Sequence, residues 1–176
     1  MKSRYKIFDQ QAVHFITSSI VDWLPIFKDD QYREIIINAL EYRRKNKHLT
    51  LYAYVIMDDH IHATLSSENI TKLMKEFKSF TARKIVNQLR SDGNKNLLGQ
   101  LKACKKEYKI DSEFQVWQEG FHPKLIQSLE MFNQKVNYIH MNPVRKGLAE
   151  RPEEWKYSSA SNYLTGKGII EVDFII

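Results

Sequence analysis

Two spacings of hydrophobic residues run through the chain, and the switches between them mark its elements. From Ala12 to Trp23 the run AVHFITSSIVDW is dominated by apolar and β-branched residues, which predicts a first strand. Asp29 or Asp30 then stands where a helix cap belongs, ahead of Ile35, Ile36, Leu40 and Tyr42 at roughly helical spacing, so a helix is expected through about Lys45. Leu49 to Ser66, LTLYAYVIMDDHIHATLS, reads as two strands joined by a turn at Met57-Asp58-Asp59. Ser67 or Asn69 can cap a second helix from about Ile70 to Leu89, with Leu73, Met74, Phe77, Phe80, Ile85 and Leu89 turned inward.

Residues 90–111 are polar and Lys-rich around Asp92-Gly93-Asn94, which predicts a loop with at most a short helix, a mobile or substrate-facing excursion. Phe114 to Trp117 and Pro123 to Ile126 flank Gly120 and read as a bent strand or strand pair. Ser128 caps a last long helix, expected to stop at Asn142 because Pro143 disfavours helical geometry in the residue before it. The tail from Trp155 to Ile176 should cover the core. This order of elements predicts an α+β fold, an antiparallel sheet with helices mainly on one face. A chain of 176 residues with 43% hydrophobic content suits a single domain over 1–176, with no internal repeat or low-complexity stretch.

Charge sharpens this picture. The formal net charge of +6 favours an anionic partner such as nucleic acid. The excess is clustered: Arg43, Arg44, Lys45 and Lys47; Lys72, Lys75, Lys78, Arg83 and Lys84; Lys102, Lys105, Lys106 and Lys109. Each cluster also fits an ordinary solvated helix face. Cys104 is the only cysteine, so no intrachain disulfide and no four-thiolate zinc site can form, which fits a reducing, cytoplasmic location. The N-terminal MKSRYKIFDQQAVHF lacks a long apolar core, and no stretch has the roughly 18 apolar residues of a membrane span.

The chemistry concentrates at two places. His60 and His62 are two residues apart on a predicted strand, so their imidazoles share one face and can converge on one cation. Two imidazoles plus one oxygen ligand would leave positions on a divalent metal open for a phosphate. Two ordinary strand histidines, one tucked under a helix, would give the same spacing. Tyr138 and Asn142 are four apart on the last helix and so present a hydroxyl and an amide from one edge, while Phe132, Val136 and Ile139 form an adjacent apolar stripe for docking on the sheet. A rim tyrosine with a satisfied hydroxyl is the plainer reading of Tyr138 alone.

YVIMDDHIHATL resembles the His-hydrophobic-His strand of the HUH single-strand transposases. VWQEGFHP followed by YIHMNPVRKGLAERPEEWKYSSASNYL resembles their REP-associated tyrosine transposase branch, and the likeness runs from the first strand to about Tyr163. The resemblance implies a ferredoxin-like HUH nuclease fold and a Mg²⁺ or Mn²⁺ held by His60, His62 and Asn142. It also implies Tyr138 as the nucleophile, single-stranded or hairpin DNA as the partner, and a 5′-phosphotyrosine intermediate whose religation transfers strands. Relatives often carry Pro-Asn before the first histidine, where this chain has Asp58-Asp59, which adds negative charge near the expected metal. Related enzymes work as monomers or as homodimers that exchange catalytic helices.

Lys75, Lys78, Arg83 and Arg145 are candidate phosphate contacts, and Trp117 could stack on an unpaired base, a contact worth about 1–3 kcal/mol, or else pack in the core. His14 is expected in the core or across a strand, and His140, about 200° around the helix from Tyr138, away from the site. Three other functions fit parts of this pattern. A hairpin-binding protein of the same fold without nuclease activity would not need all four site residues. A two-histidine phosphoesterase would use His62-Ala63-Thr64, but its second motif would be His14-Phe15-Ile16-Thr17, which has the wrong spacing. A purely structural metal site would want four tight ligands.

Overall fold

The computed structural model describes residues 7, 9–46 and 48–175, which leaves the Lys47 of the first basic cluster outside it. Among the described residues four antiparallel strands form one sheet: β1 (His14–Ser19), β2 (Thr50–Ile56), β3 (His60–Ser66) and β4 (Lys124–Leu125), in spatial order β2-β3-β1-β4. The β2–β3 hairpin turns at Met57-Asp58-Asp59, as the apolar runs on either side require, and Met57 N–H donates to the His60 carbonyl. The long first strand expected from Ala12 to Trp23 is shorter. After Ser19 the chain bends into 3-10 turns at Val21–Trp23 and Ile26–Lys28, with Asp22 and Trp23 at positive φ. Buried Ile20, Ile26 and Phe27 account for the apolar pattern beyond the strand.

Two helices cover one face of the sheet. Helix α1 (Asp30–Lys45) is capped by Asp29, whose carboxylate accepts from Gln31 N–H, and α2 (Ile70–Ser91) by Asn69, which accepts from Lys72 N–H. They seal a core of Ile16, Ile36, Leu51, Ile61, Leu65, Phe77 and Ile85. Phe80 is not part of it, being 37% exposed, because Thr81 takes the inward position instead and its hydroxyl accepts from buried Trp117 Nε1 at 3.1 Å. The polar stretch after Arg90 contains the short helix allowed for there, α3 (Lys95–Ala103), capped by Asn94 and anchored by fully buried Leu101.

The other face carries α4 (Leu129–Arg145), whose Phe132, Val136 and Ile139 pack on Phe15, Ala53, Val55 and Met57. This helix does not stop at Asn142. It passes through Pro143, and the Lys146 N–H still bonds the Asn142 carbonyl at 3.1 Å, so only the bond that Pro143 itself cannot donate is lost. Three further residues of helix place Arg145 on the same side as Tyr138. The bent strand expected over 114–126 is mostly irregular: Trp117 makes an isolated bridge to Ile20, and β4 is two residues long. The tail covers the core as expected, burying Tyr157, Ile170 and Val172, and also closes the outer edge of β2, with Tyr54 N–H donating to Ser159 Oγ at 2.9 Å and Asp173 N–H to the Leu51 carbonyl at 2.7 Å. It includes the short α5 (Ala160–Thr165).

Candidate active site

Alternation along β3 divides its side chains. Ile61, Ala63 and Leu65 enter the core under α1 and α2, so His60 and His62 point the other way, toward α4. Their ring centroids are 4.7 Å apart.

Each ring is held through Nδ1. Asp59 Oδ1 accepts from His60 Nδ1, and since a carboxylate only accepts, the proton sits on Nδ1 and Nε2 is the nitrogen available to a cation. The cross-strand register Thr17↔His62 puts Thr17 Oγ1 2.8 Å from His62 Nδ1, a hydrogen bond that fixes the orientation of the second ring. Burial, then the neighbouring His60, pushes His62 down to about 3, so the ring is neutral at physiological pH. Neutral imidazoles anchored on their far nitrogens are what a divalent cation needs from histidine. Among the described residues no three His, Cys, Asp or Glu side chains converge on one point, so a third protein ligand would have to be another kind of group.

Helix α4 brings the next polar side chains to this side of the sheet. Its N-cap is Ser128, whose Oγ accepts from Met131 N–H at 3.1 Å, and docking of Phe132, Val136 and Ile139 fixes its rotation. The Tyr138 ring then meets His62 edge-on at 5.3 Å and Phe15 at 5.9 Å, while Phe15 stacks on His62 at 5.3 Å. Tyr138 is 37% exposed and Asn142, one turn on, is buried. Of the four residues expected to act together, His60, His62 and Tyr138 form a chain of ring contacts, and Asn142 follows Tyr138 one helical turn on. Lys135 and Arg145 join them: Lys135 Nζ stands 5.0 Å from the Phe15 centroid and 5.9 Å from that of Tyr138, and Arg145 Cζ 5.5 Å from Tyr138.

Other expected residues lie elsewhere. Lys75, Lys78 and Arg83 all ride on α2, on the far face of the sheet from Tyr138. Lys75 and Arg83 are exposed, and Lys75 borders a groove of about 370 Å³ between α2 and residues 114–121. Lys78 is a structural tie: its ammonium donates to the carbonyls of Gln118, at 2.6 Å, and Gly120, and burial pushes it down to about 8. Trp117 is buried between Phe27 and Phe77, with no face open to a nucleobase. His14 is buried, its Nδ1 2.8 Å from the Ala12 carbonyl, and His140 Nε2 meets Ser159 Oγ at 2.9 Å, away from Tyr138.

The acidic pair before His60 divides its work. Asp58 Oδ1 is 2.6 Å from Arg33 Nη2, so its charge is spent on a buried guanidinium, and only Asp59 acts on the histidines. Sequence reading missed Thr17, Phe15, Lys135 and the contact of Asp59. Lys135 was findable, three residues before Tyr138 on the same helical face. Thr17 needed the strand register.

A family model described as "Transposase IS200 like" matches residues 1–142. The chain is similar to a Haemophilus influenzae protein assigned to the REP-associated tyrosine transposases, at 24% identity over 161 residues, 90% of this chain and 85% of that one. Its fold is that of a solved REP-associated tyrosine transposase bound to a REP hairpin: TM-score 0.66, 16% identity, covering 100% of this chain and 94% of the other. The histidine strand and the Tyr138 helix thus stand on a known scaffold, and the chain belongs to the IS200-like transposase family.

Proposed function

We propose that the chain is a metal-dependent single-stranded DNA endonuclease and strand transferase of the REP-associated type, acting on hairpin-forming DNA with Tyr138 as nucleophile. The observation that carries this reading is the 5.3 Å approach of the exposed Tyr138 ring to His62, beside His60, from a helix that also presents Asn142. The partly exposed Tyr138 ring lies edge-on against His62, whose imidazole, like that of His60, is anchored through Nδ1.

In the reaction, Tyr138 Oη gives up its proton to solvent and attacks the scissile phosphorus, the bond from phosphorus to the 3′-oxygen breaks, and that oxygen leaves with its electron pair and takes up a proton. One phosphodiester is exchanged for another, so no nucleotide cofactor is consumed, and attack by a different 3′-hydroxyl reverses the step and joins strands. His60 and His62, through Nε2, and Asn142 would hold the divalent ion, Mg²⁺ or Mn²⁺, which when bound neutralises charge on the phosphate oxygens. Asp59 and Thr17 keep the two rings in register, and Phe15 fills the floor between His62 and Tyr138. Within one chain Tyr138 lies against His62.

The hairpin partner follows from the relative of known structure, bound to a REP hairpin, and from the net charge of +6. The test is incubation of an end-labelled DNA stem–loop carrying unpaired flanks with the protein and Mn²⁺, followed by denaturing electrophoresis. A protein-linked band that disappears with chelator, with Tyr138→Phe and with His60→Ala is expected. A tightly bound stem–loop that is never cut would instead leave a hairpin-binding protein.

A further inference from the structure

Tyr138 is flanked by two cations that no described residue neutralises. Lys135, Tyr138, Asn142 and Arg145 follow one another at i, i+3, i+7 and i+10, which keeps them within about 80° of arc on α4. Arg145 belongs to this stripe only because the helix continues past Pro143. Lys135 is half-buried, its ammonium against the faces of Phe15 and Tyr138, and Arg145 is exposed with its guanidinium over Tyr138. Among the described residues, neither enters an ion pair within 4.0 Å, although the chain forms such pairs freely elsewhere, for example at Arg33, Arg44 and Arg151. Contact with a ring face compensates a cation only weakly. Two positive charges that converge on one hydroxyl-bearing ring, beside a pair of imidazoles and with no acid of their own, leave an anion as the missing partner.

We propose that Lys135 and Arg145 form a phosphate clamp on either side of Tyr138, gripping the non-bridging oxygens of the DNA phosphate that the tyrosine faces. This deepens the nuclease reading and rests on it only for the identity of that phosphate. Lys135, held between Phe15 and Tyr138, fixes the phosphate laterally. Arg145, with its planar fork, reaches it from the next turns of the helix. The clamp is local to α4 and distinct from the basic residues of α2, which sit across the sheet.

The experiment is a methylphosphonate scan: a series of DNA stem–loops, each with one backbone phosphate of the unpaired flank made neutral, titrated against the full chain and against Lys135→Met and Arg145→Met. In the wild type, one position should weaken binding by roughly tenfold, the scale of one lost charge-assisted hydrogen bond. In either variant the same position should lose its effect while the others keep theirs. The salt dependence of binding should flatten by about one charge per substitution, and Lys135→Arg should restore the sensitive position. Uniform weakening at every position, or no change in either variant, overturns the clamp. Cleavage and binding separate the two readings: a cut substrate with an unchanged scan sinks the clamp alone, whereas a clear sensitive position without any covalent product keeps the clamp and sinks the nuclease.

Discussion

Replacing Asp59 tests how the histidine pair is organised without touching a ligand. Asp59 Oδ1 accepts the proton of His60 Nδ1, and the carboxylate both fixes the tautomer and raises the basicity of Nε2. Carboxylates behind metal-binding histidines typically contribute about 10–100-fold in affinity. Asp59→Asn keeps an acceptor but not the charge, and since charge-assisted hydrogen bonds are about twice as strong as neutral ones, its effect belongs at the lower end, about tenfold or 1.4 kcal/mol. Asp59→Ala removes both and should approach 100-fold, about 2.7 kcal/mol. The fold should tolerate either change, because the bond that anchors this turn, from Ile20 N–H to the Asp59 carbonyl at 2.8 Å, is made by the backbone. Asp58→Asn is the control. It leaves buried Arg33 a neutral acceptor in place of the carboxylate at 2.6 Å and should cost about 1–2 kcal/mol of stability with Mn²⁺ affinity unchanged. Titration calorimetry with Mn²⁺ measures the affinities and urea denaturation the stabilities. Equal Mn²⁺ affinity in wild type and Asp59→Ala, with both folded, would refute the assignment of His60 Nε2 as a ligand positioned by Asp59.

Further outcomes follow from the same geometry. Tyr138→Phe should abolish the covalent adduct yet shift stability by no more than about 0.5 kcal/mol in urea titration, since the ring is 37% exposed and its hydroxyl supports nothing in the core. Trp117→Ala should cost about 3 kcal/mol or more and leave the salt dependence of DNA binding unaltered, because Trp117 fills the core beside Phe27 and Phe77. Lys78 is lowered from 10.5 to about 8, chiefly by burial, so in that interval the unfolded chain binds the extra proton and stability contributed by this group rises with pH. Urea titrations above pH 8 should therefore show wild type gaining on Lys78→Met, and parallel pH profiles would contradict the burial argument.

Elements with strong local signals were legible in the sequence: the caps at Asp29, Asn69 and Ser128, the Asp58-Asp59 turn, and the shared face of His60 and His62. The same periodicity placed Tyr138 and Asn142 together on the docked helix. What escaped it depended on contacts between distant segments. The strand end at Ser19 was hidden because Ile20, in an isolated bridge to Trp117, is as buried past the strand as it would be within it. Helix α4 outran Pro143 because packing and the remaining carbonyl partners outweigh one missing N–H. Trp117 and Lys78 look like DNA contacts in composition, but the core and two backbone carbonyls claim them. Thr17 became visible only through its register with His62.

The central claim is that Tyr138 makes the covalent bond to DNA, and the most direct measurement is peptide mapping of the protein–DNA species. After nuclease trimming and tryptic digestion, the account predicts that the residual nucleotide is carried by the peptide running from Val136 to Arg145, at Tyr138, in a metal-dependent yield. A nucleotide on any other peptide, such as those bearing Tyr108 or Tyr163, would contradict it.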